Sequence, residues 1–167
     1  LALQLCFFCC FVVCDSCIFS NEVCVDRDIC TAAEGVVDML AWEELESQCN
    51  VCKQCDLCAA RNNVVFGVGA KDAEIMFIGE GPGEQEDLKG EPFVGPAGKL
   101  LDEMLSIIDI DRTNCYIANI VKCRPPNNRD PLPEEQDACI NYLRSQVMLV
   151  QPKIIVCLGR IAAKRVL

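Results

Sequence analysis

The chain has 167 residues, a formal net charge of −10 and no histidine. This length is enough for one domain with its own core, plus some surplus. The acidic balance argues against a protein that coats nucleic acid by bulk electrostatics, although a local basic patch could survive it. The lack of histidine excludes a His general base, a Ser-His-Asp triad and a His-ligated metal within these residues.

The surplus lies at the start of the chain, where residues 1–38 hold seven of the fifteen cysteines. The apolar opening, residues 1–14, is shorter than the roughly 20 residues of a membrane span, and it lacks the basic start of a signal peptide. We therefore predict that residues 1–38 are a Cys-rich leader outside the fold and that one domain covers residues 39–167. A targeting segment and a separate metal-binding appendage are the alternatives.

Beyond residue 39, short apolar runs alternate with segments of helical periodicity. The predicted strands cover residues 74–78, 115–120 and 154–158. The predicted helices cover residues 40–48, 98–108, 133–151 and 159–167. Strands interleaved with helices predict an α/β fold with a parallel sheet, and such sheets bind ligands at the carboxyl ends of their strands. The loops after Ile78 and Ile120 are therefore the candidate site.

The cysteines beyond the leader fall into a close run and a scattered set. The run is Cys49, Cys52, Cys55 and Cys58, and its spacing resembles the local ferredoxin pattern. The scattered set is Cys115, Cys123, Cys139 and Cys157. Cys115 and Cys157 lie in apolar strands and are predicted to be buried hydrophobes, which leaves Cys123 and Cys139 as the distant pair. A disulfide framework would need a secreted context, and zinc held by four thiolates stays possible. Spacing predicts a thiolate-bound metal centre without choosing two ligands from the run.

Five ordered segments together resemble the family 4 uracil-DNA glycosylases. They are Cys-Lys-Gln-Cys-Asp-Leu-Cys at 52–58, Val-Val-Phe-Gly at 64–67, Gly-Glu-Gly-Pro-Gly-Glu-Gln-Glu-Asp at 79–87, Gly-Glu-Pro-Phe-Val-Gly-Pro-Ala-Gly at 90–98, and Tyr-Ile-Ala-Asn-Ile-Val-Lys-Cys-Arg-Pro-Pro-Asn-Asn-Arg-Asp at 116–130. The resemblance runs from about residue 39 to Leu167.

The resemblance implies a three-layer α/β/α fold around a central parallel sheet, with the chain as the N-terminal two-thirds of such an enzyme and its fourth strand missing. The His-Pro segment of the family is not among these residues. We therefore expect this fragment by itself to be inactive or weakly active.

The resemblance also implies one structural [4Fe-4S] cluster. Its ligands would be Cys52, Cys55, Cys123 and Cys139, with Cys49 and Cys58 as bystanders. The cluster would join the N-terminal helix to the loop 124–138, which is too polar and Pro-rich to order itself by packing.

By the same resemblance, Phe93 stacks on the uracil base and Asn119 reads its edge. A carboxamide can donate to O4 and accept from N3–H, whereas cytosine would mismatch it. Such reading requires the nucleotide to leave the duplex and enter a pocket.

The Gly-rich turn would handle the water and the leaving group. Gly81 stands where family 1 enzymes have an aspartate, so water activation falls to the carboxylates Glu80 and Glu86. We assign Glu80 to orienting the water and Glu86 to the pocket wall beside C5 of the base, where it would reject thymine. Backbone N–H groups of residues 79–83 would stabilise the charge that develops on O2.

The function implied is that of a base-excision repair glycosylase that hydrolyses the N-glycosidic bond of uracil in DNA. Lys122, Arg124 and Arg129 are the expected phosphate contacts at the pocket rim. We expect uracil-containing DNA as partner, no membrane, a monomer when full length, and a cytoplasmic location.

Two alternatives remain. A non-catalytic iron–sulfur module for DNA binding or redox chemistry is favoured only if the run Cys49 to Cys58 binds the metal by itself. A sibling glycosylase class traps uracil-DNA covalently through a His-containing insert, and the loop 124–130 has neither the insert nor a histidine.

Overall fold

The structure, a computed structural model, describes residues 10–14 and 42–167. The described strands are β1 (Cys10–Cys14), β2 (Val68–Gly69), β3 (Ile75–Gly79), β4 (Cys115–Asn119) and β5 (Ile154–Leu158). The described α-helices are α1 (Trp42–Asn50), α2 (Glu84–Lys89), α3 (Pro96–Ile107), α4 (Pro133–Val150) and α5 (Arg160–Val166). Short 3-10 helices cover Asp56–Ala59 and Pro126–Asn128.

The five strands form one sheet in the order β1-β5-β3-β4-β2. The three strands predicted from the sequence are its centre, and β3 pairs in parallel with both β4 and β5. The two outer strands, β1 and β2, are antiparallel to their neighbours. The predicted α/β class is confirmed, but the prediction of a parallel sheet holds only for its centre, and the sheet as a whole is mixed. The two residues of β2 are too few to give a periodic pattern in the sequence.

The outer strand β1 comes from the predicted leader. Its five residues pair with β5, from Cys10 opposite Leu158 to Cys14 opposite Ile154. The edge of the sheet beside β5 therefore carries this segment. The rest of residues 1–38 lies outside the described residues, so the domain boundary near residue 39 stays a prediction.

Two apolar cores, one on each face of the sheet, make the three layers. Alternate side chains of β3 separate, because Met76 and Ile78 pack in one core and Phe77 packs in the other. The larger core includes residues of α1, α4 and α5. The smaller core holds Leu101 and Leu105 of α3.

The long helices begin and end within two residues of where the sequence predicts. Pro96 and Pro133 occupy the first turns of α3 and α4, where a missing N–H costs nothing. Leu143 and Ile140 of α4 are buried as expected from their spacing. Gln151 ends α4 in the left-handed conformation, with φ at 51°.

One helix was not predicted. The segment read from the sequence as the end of a Gly-rich turn continues into α2, which spans Glu84–Lys89 and ends at Gly90 with φ at 78°. Its six residues are fewer than two turns and show no apolar face. No helix in the described part of the chain is long and apolar enough to cross a membrane.

Candidate functional site

The candidate site lies at the carboxyl ends of β3 and β4, as the topology predicts. Gly79 and Asn119 are partners in the parallel register and are the last residues of their strands. The pairing continues into the loops, because the N–H of Ile120 donates to the carbonyl of Gly79 at 2.9 Å and that of Val121 to the carbonyl of Glu80 at 3.2 Å. The two loops therefore run side by side.

A narrow space lies over Gly79, between the side chains of Asn119 and Phe93. A Cβ atom built on this glycine would lie 2.5 Å from Asn119 Oδ1 and 2.5 Å from Phe93 Cζ. The carboxamide and the aromatic ring thus face one small space that any side chain at position 79 would fill. The structure brings together the two residues predicted to read and stack the base.

The carboxamide of Asn119 is buried with an unpaired acceptor. Its residue is 1 % exposed, and Oδ1 has no hydrogen-bond partner among the described residues. A buried acceptor left without a donor costs roughly 1–3 kcal/mol. The site is therefore prepared for a ligand that donates an N–H.

Phe93 is held in an unfavourable backbone conformation. Its φ is 54°, in the left-handed region that an aromatic residue rarely adopts. Arg112 holds the turn from one side, since its Nη1 donates to the carbonyl of Pro92 at 3.2 Å and its Nη2 to the carbonyl of Phe93. The guanidinium also donates to Asp102 of α3. These hydrogen bonds can offset the backbone strain at Phe93, which for such residues is about 1–3 kcal/mol.

Glu86 holds the same turn from the other side. Its Oε1 accepts from the backbone N–H of Val94 at 2.9 Å and from that of Gly95 at 2.7 Å. This carboxylate therefore ties α2 to the start of α3, directly after Phe93. The sequence placed Glu86 at the site but gave no sign of these two contacts.

Glu80 and Gly81 line a separate, open pocket of about 130 Å³. The pocket is completed by Pro82, Gly83, Pro125, Asn128 and Arg129. Burial raises the pKa of Glu80, the charge of Asp130 adds to this rise, and Arg160 opposes it. Glu80 is thus a half-buried carboxylate facing a space large enough for water, as its predicted role requires.

Asn128 is a pocket residue that the sequence analysis missed. Its Oδ1 accepts from Arg124 Nε at 2.8 Å, and its φ of 54° is left-handed. The Pro-Pro-Asn-Asn run could have indicated a turn here, because asparagine tolerates this conformation. Nothing in the run says that the second asparagine borders Glu80.

The basic rim is smaller than predicted. Arg124 pairs with Glu84 at 3.6 Å, and Arg129 makes two hydrogen bonds to Glu135. Lys122, expected at the rim, is 1 % exposed and lies inside the protein. The prediction of Lys122 as a phosphate contact is therefore wrong.

Six cysteines line a second pocket, on the far side of the loop after β4. They are Cys49, Cys52, Cys55, Cys58, Cys123 and Cys139. They come from α1, the 3-10 segment after it, the loop after β4, and α4. The structure brings the four predicted ligands together, and it also places Cys49 and Cys58 beside them. Cys115 and Cys157 are buried in the sheet, as predicted.

Donors point at two of these sulfurs. Arg61 Nη1 donates to Cys123 Sγ at 3.2 Å, and the backbone N–H of Lys122 donates to Cys139 Sγ at 3.3 Å. Burial raises the pKa of Cys139 to about 11, and the Lys122 charge works against that rise. A thiolate here needs a further cation, which a bound metal centre would supply.

Among residues 42–167, no three Cys, Asp or Glu side chains stand close enough to share a single metal ion. In a [4Fe-4S] cluster each thiolate binds a different iron, so the sulfurs stand further apart. The chemistry of the donor set, thiolates with N–H donors from Arg61 and Lys122 beside them, suits an iron–sulfur centre.

The chain belongs to the uracil-DNA glycosylase superfamily, whose family model matches residues 66–167. Within it, the chain is similar to type-4 uracil-DNA glycosylases, which confirms the resemblance read from the motifs. The protein of Archaeoglobus fulgidus is 53 % identical over 126 residues, covering 75 % of this chain and 63 % of that protein. That of Thermotoga maritima is 54 % identical over 111 residues, covering 66 % and 58 %.

A third relative, the type-4 uracil-DNA glycosylase of Sulfurisphaera tokodaii, is 50 % identical over 127 residues, covering 75 % of this chain and 58 % of that protein. The chain therefore spans about three fifths of the length of these relatives.

Replacing Glu86 by alanine removes the acceptor of two amides beside Phe93. In the full-length protein we expect hydrogen exchange at Val94 and Gly95 to become at least about fivefold faster, because a lost hydrogen bond at a half-buried site costs roughly 1–3 kcal/mol. Exchange followed by NMR measures this directly. Glu86→Gln keeps an acceptor oxygen, so its exchange rates should lie between those of the wild type and of Glu86→Ala. Glu84→Ala, on the same helix with a side chain 62 % exposed, is the matched control. Equal exchange in Glu86→Ala and the control would contradict the role of Glu86 in this turn.

Proposed function

We propose that the full-length protein is a uracil-DNA glycosylase of base-excision repair that carries a structural [4Fe-4S] cluster. The observation that carries this proposal is the buried, unpaired Oδ1 of Asn119, facing the ring of Phe93 over Gly79. The N3–H group of uracil would supply the hydrogen-bond donor that this oxygen lacks. A cytoplasmic location and a monomeric state stay predictions.

Edge reading by Asn119 distinguishes uracil from cytosine. The carboxamide oxygen accepts from N3–H of uracil while the amide group donates to O4. Cytosine has no hydrogen on N3 and carries an amino group at C4, so both contacts are lost. A site built around such hydrogen bonds rejects the wrong base because its own buried groups are then left unpaired.

Phe93 gives the flipped base a stacking surface, and its turn is fixed before substrate arrives. Arg112 and Glu86 hold the backbone on either side of it. A stacked base contributes roughly 1–3 kcal/mol, provided that the ring is in place. We therefore assign Glu86 and Arg112 to positioning this ring. The further role of Glu86 in the wall beside C5 of uracil stays a prediction.

Glu80 is proposed to orient the attacking water from the open pocket that it shares with Gly81. Water adds to C1′ of the deoxyribose as the bond from C1′ to N1 breaks, and uracil leaves as an anion with its negative charge spread towards O2. The proton that the water loses passes to solvent. Backbone N–H groups of the turn at residues 79–83 are the donors proposed for that charge.

Cys52, Cys55, Cys123 and Cys139 are the proposed ligands of the cluster. When bound, the cluster supplies a covalent cross-link between segments that are distant in the chain. These residues hold the start of the domain against α4 and the loop after β4. Arg61, through its contact with Cys123, helps to offset the negative charge of the thiolates.

The main test is uracil release by the full-length protein from an oligonucleotide with one uracil. We expect Asn119→Asp to lower kcat/KM for uracil by about 10²–10³, because a carboxylate cannot donate to O4 and repels it. Release of cytosine from a matched oligonucleotide should become measurable. Asn141→Asp makes the same change on the exposed side of α4 and serves as the control. Full uracil release by Asn119→Asp would remove Asn119 from base reading.

The pKa of Glu80 predicts the acid limb of the rate profile. The carboxylate form orients water, so the rate falls as the pH drops through the pKa of Glu80. Because burial raises that pKa, the fall should begin above the usual glutamate range. In Glu80→Gln we expect a lower rate without this limb. An unaltered profile in Glu80→Gln, measured by single-turnover kinetics beside Glu84→Gln, would assign the limb to another group.

Iron content tests the ligand set. Alanine at Cys52, Cys55, Cys123 or Cys139 should lower iron and acid-labile sulfide per folded protein, whereas Cys49→Ala and Cys58→Ala should keep both. Cys115→Ala, buried in the sheet, is the control for loss of a buried thiol. Loss of iron from Cys49→Ala or Cys58→Ala would overturn this assignment. If the run Cys49 to Cys58 alone holds the iron, a non-catalytic iron–sulfur module becomes the better interpretation.

A further inference from the structure

Lys122 is a buried charge that the proposed reaction does not use. It lines the cysteine pocket and stands one residue before Cys123 and three after Asn119. Its Nζ donates to the backbone carbonyl of Asn119 at 3.0 Å and to Gln146 Oε1 at 2.6 Å. Its backbone N–H donates to Cys139 Sγ. One residue thus contacts both the base-reading residue and a wall of the cysteine pocket.

Gln146 fixes the other end of this contact. Its Nε2 donates to the carbonyl of Phe66 at 2.9 Å and to the hydroxyl of Tyr116 at 3.1 Å. Gln146 is fully buried, so these hydrogen bonds are shielded from water. Its carboxamide oxygen is therefore held towards Lys122, and the ammonium group has a defined position.

Neither acceptor of the ammonium group carries a charge. The buried carboxylates in the described part of the chain are engaged elsewhere, since Asp87 accepts from Asn62 and Glu135 pairs with Arg129. Lys122 lines the cysteine pocket, and its backbone N–H contacts the sulfur of Cys139 there. A fully buried cation requires a compensating anion, and the pocket that Lys122 lines would supply thiolates when it holds a cluster.

We propose that Lys122 is a positioning residue that couples the cysteine-bound cluster to Asn119. Its ammonium group compensates the negative charge of the cluster and at the same time holds the carbonyl at the end of β4, from which the base-reading carboxamide projects. This inference rests on the proposed function. It assigns to a lysine inside the protein a link between metal centre and base recognition.

The test compares Lys122→Met with wild-type holoprotein at full length. Methionine keeps most of the side-chain volume and removes the charge and its hydrogen bonds. We expect a more negative reduction potential of the cluster by voltammetry, because a nearby cation favours the reduced, more negative state. We also expect affinity for an oligonucleotide with uncleavable 2′-fluoro-deoxyuridine to fall about fivefold to tenfold, the effect of one hydrogen bond. Affinity for the same oligonucleotide with thymine should stay unchanged.

Lys53→Met is the matched control. Lys53 lies between Cys52 and Cys55 but is exposed, so solvent screens its charge and the shift in potential should be smaller. If Lys122→Met does not fold, Gln146→Met is the second variant. This change keeps the charge of Lys122 but removes the hydrogen bond that fixes its ammonium group. We therefore expect an unchanged reduction potential of the cluster and a lower affinity for the oligonucleotide with 2′-fluoro-deoxyuridine.

The outcomes separate this inference from the proposed function. Wild-type protein without iron or without uracil release contradicts the proposed function itself. The coupling is overturned if the wild-type protein binds iron and releases uracil, but Lys122→Met alters only the reduction potential or only the affinity for the oligonucleotide. Wild-type affinity in Gln146→Met also overturns it.

Discussion

The parallel pairing of β3 with β4 is the constraint on which the site depends. It sets Gly79 opposite Asn119 at the point where both strands end, and two hydrogen bonds continue the pairing into the loops. Because Gly79 has no side chain, the carboxamide of Asn119 and the ring of Phe93 can approach the same space. A shift of this register by one residue would turn Asn119 to the other face of the sheet.

The site keeps its shape because the polar groups around it are hydrogen-bonded to one another. The exception is one acceptor, which is left for a ligand. Arg112 and Glu86 satisfy carbonyls and amides on either side of Phe93 and so fix a backbone conformation that the residue itself disfavours. Asn119 Oδ1 has no such partner within the described residues. The cost of that unpaired oxygen is borne by the folded protein and is recovered when a donor binds, so the arrangement favours binding over stability.

Much of the fold follows from the sequence, because its central elements have strong periodicity. The runs at 75–79, 115–119 and 154–158 are buried strands, and Ile140 and Leu143 lie on the apolar face predicted for α4. The outer strands and α2 are too short for a period to appear. The environment expected for Lys122 was also wrong, since the sequence predicts it at the pocket rim with Arg124 and Arg129. Only the tertiary placement of Gln146 and the cysteine pocket explains its burial.

Two unfavourable features of the interior compensate each other at the cysteine pocket. Burial lowers the pKa of Lys122 to about 8, and burial raises the pKa of Cys49 to about 12. Each shift shows that the low-dielectric interior opposes the charged form of that group. When thiolates and ammonium are present together their charges offset each other, and a cluster bound in this pocket would offset the charge that remains. In the function proposed above, a cluster held by these cysteines would supply the anion that the buried ammonium group of Lys122 lacks.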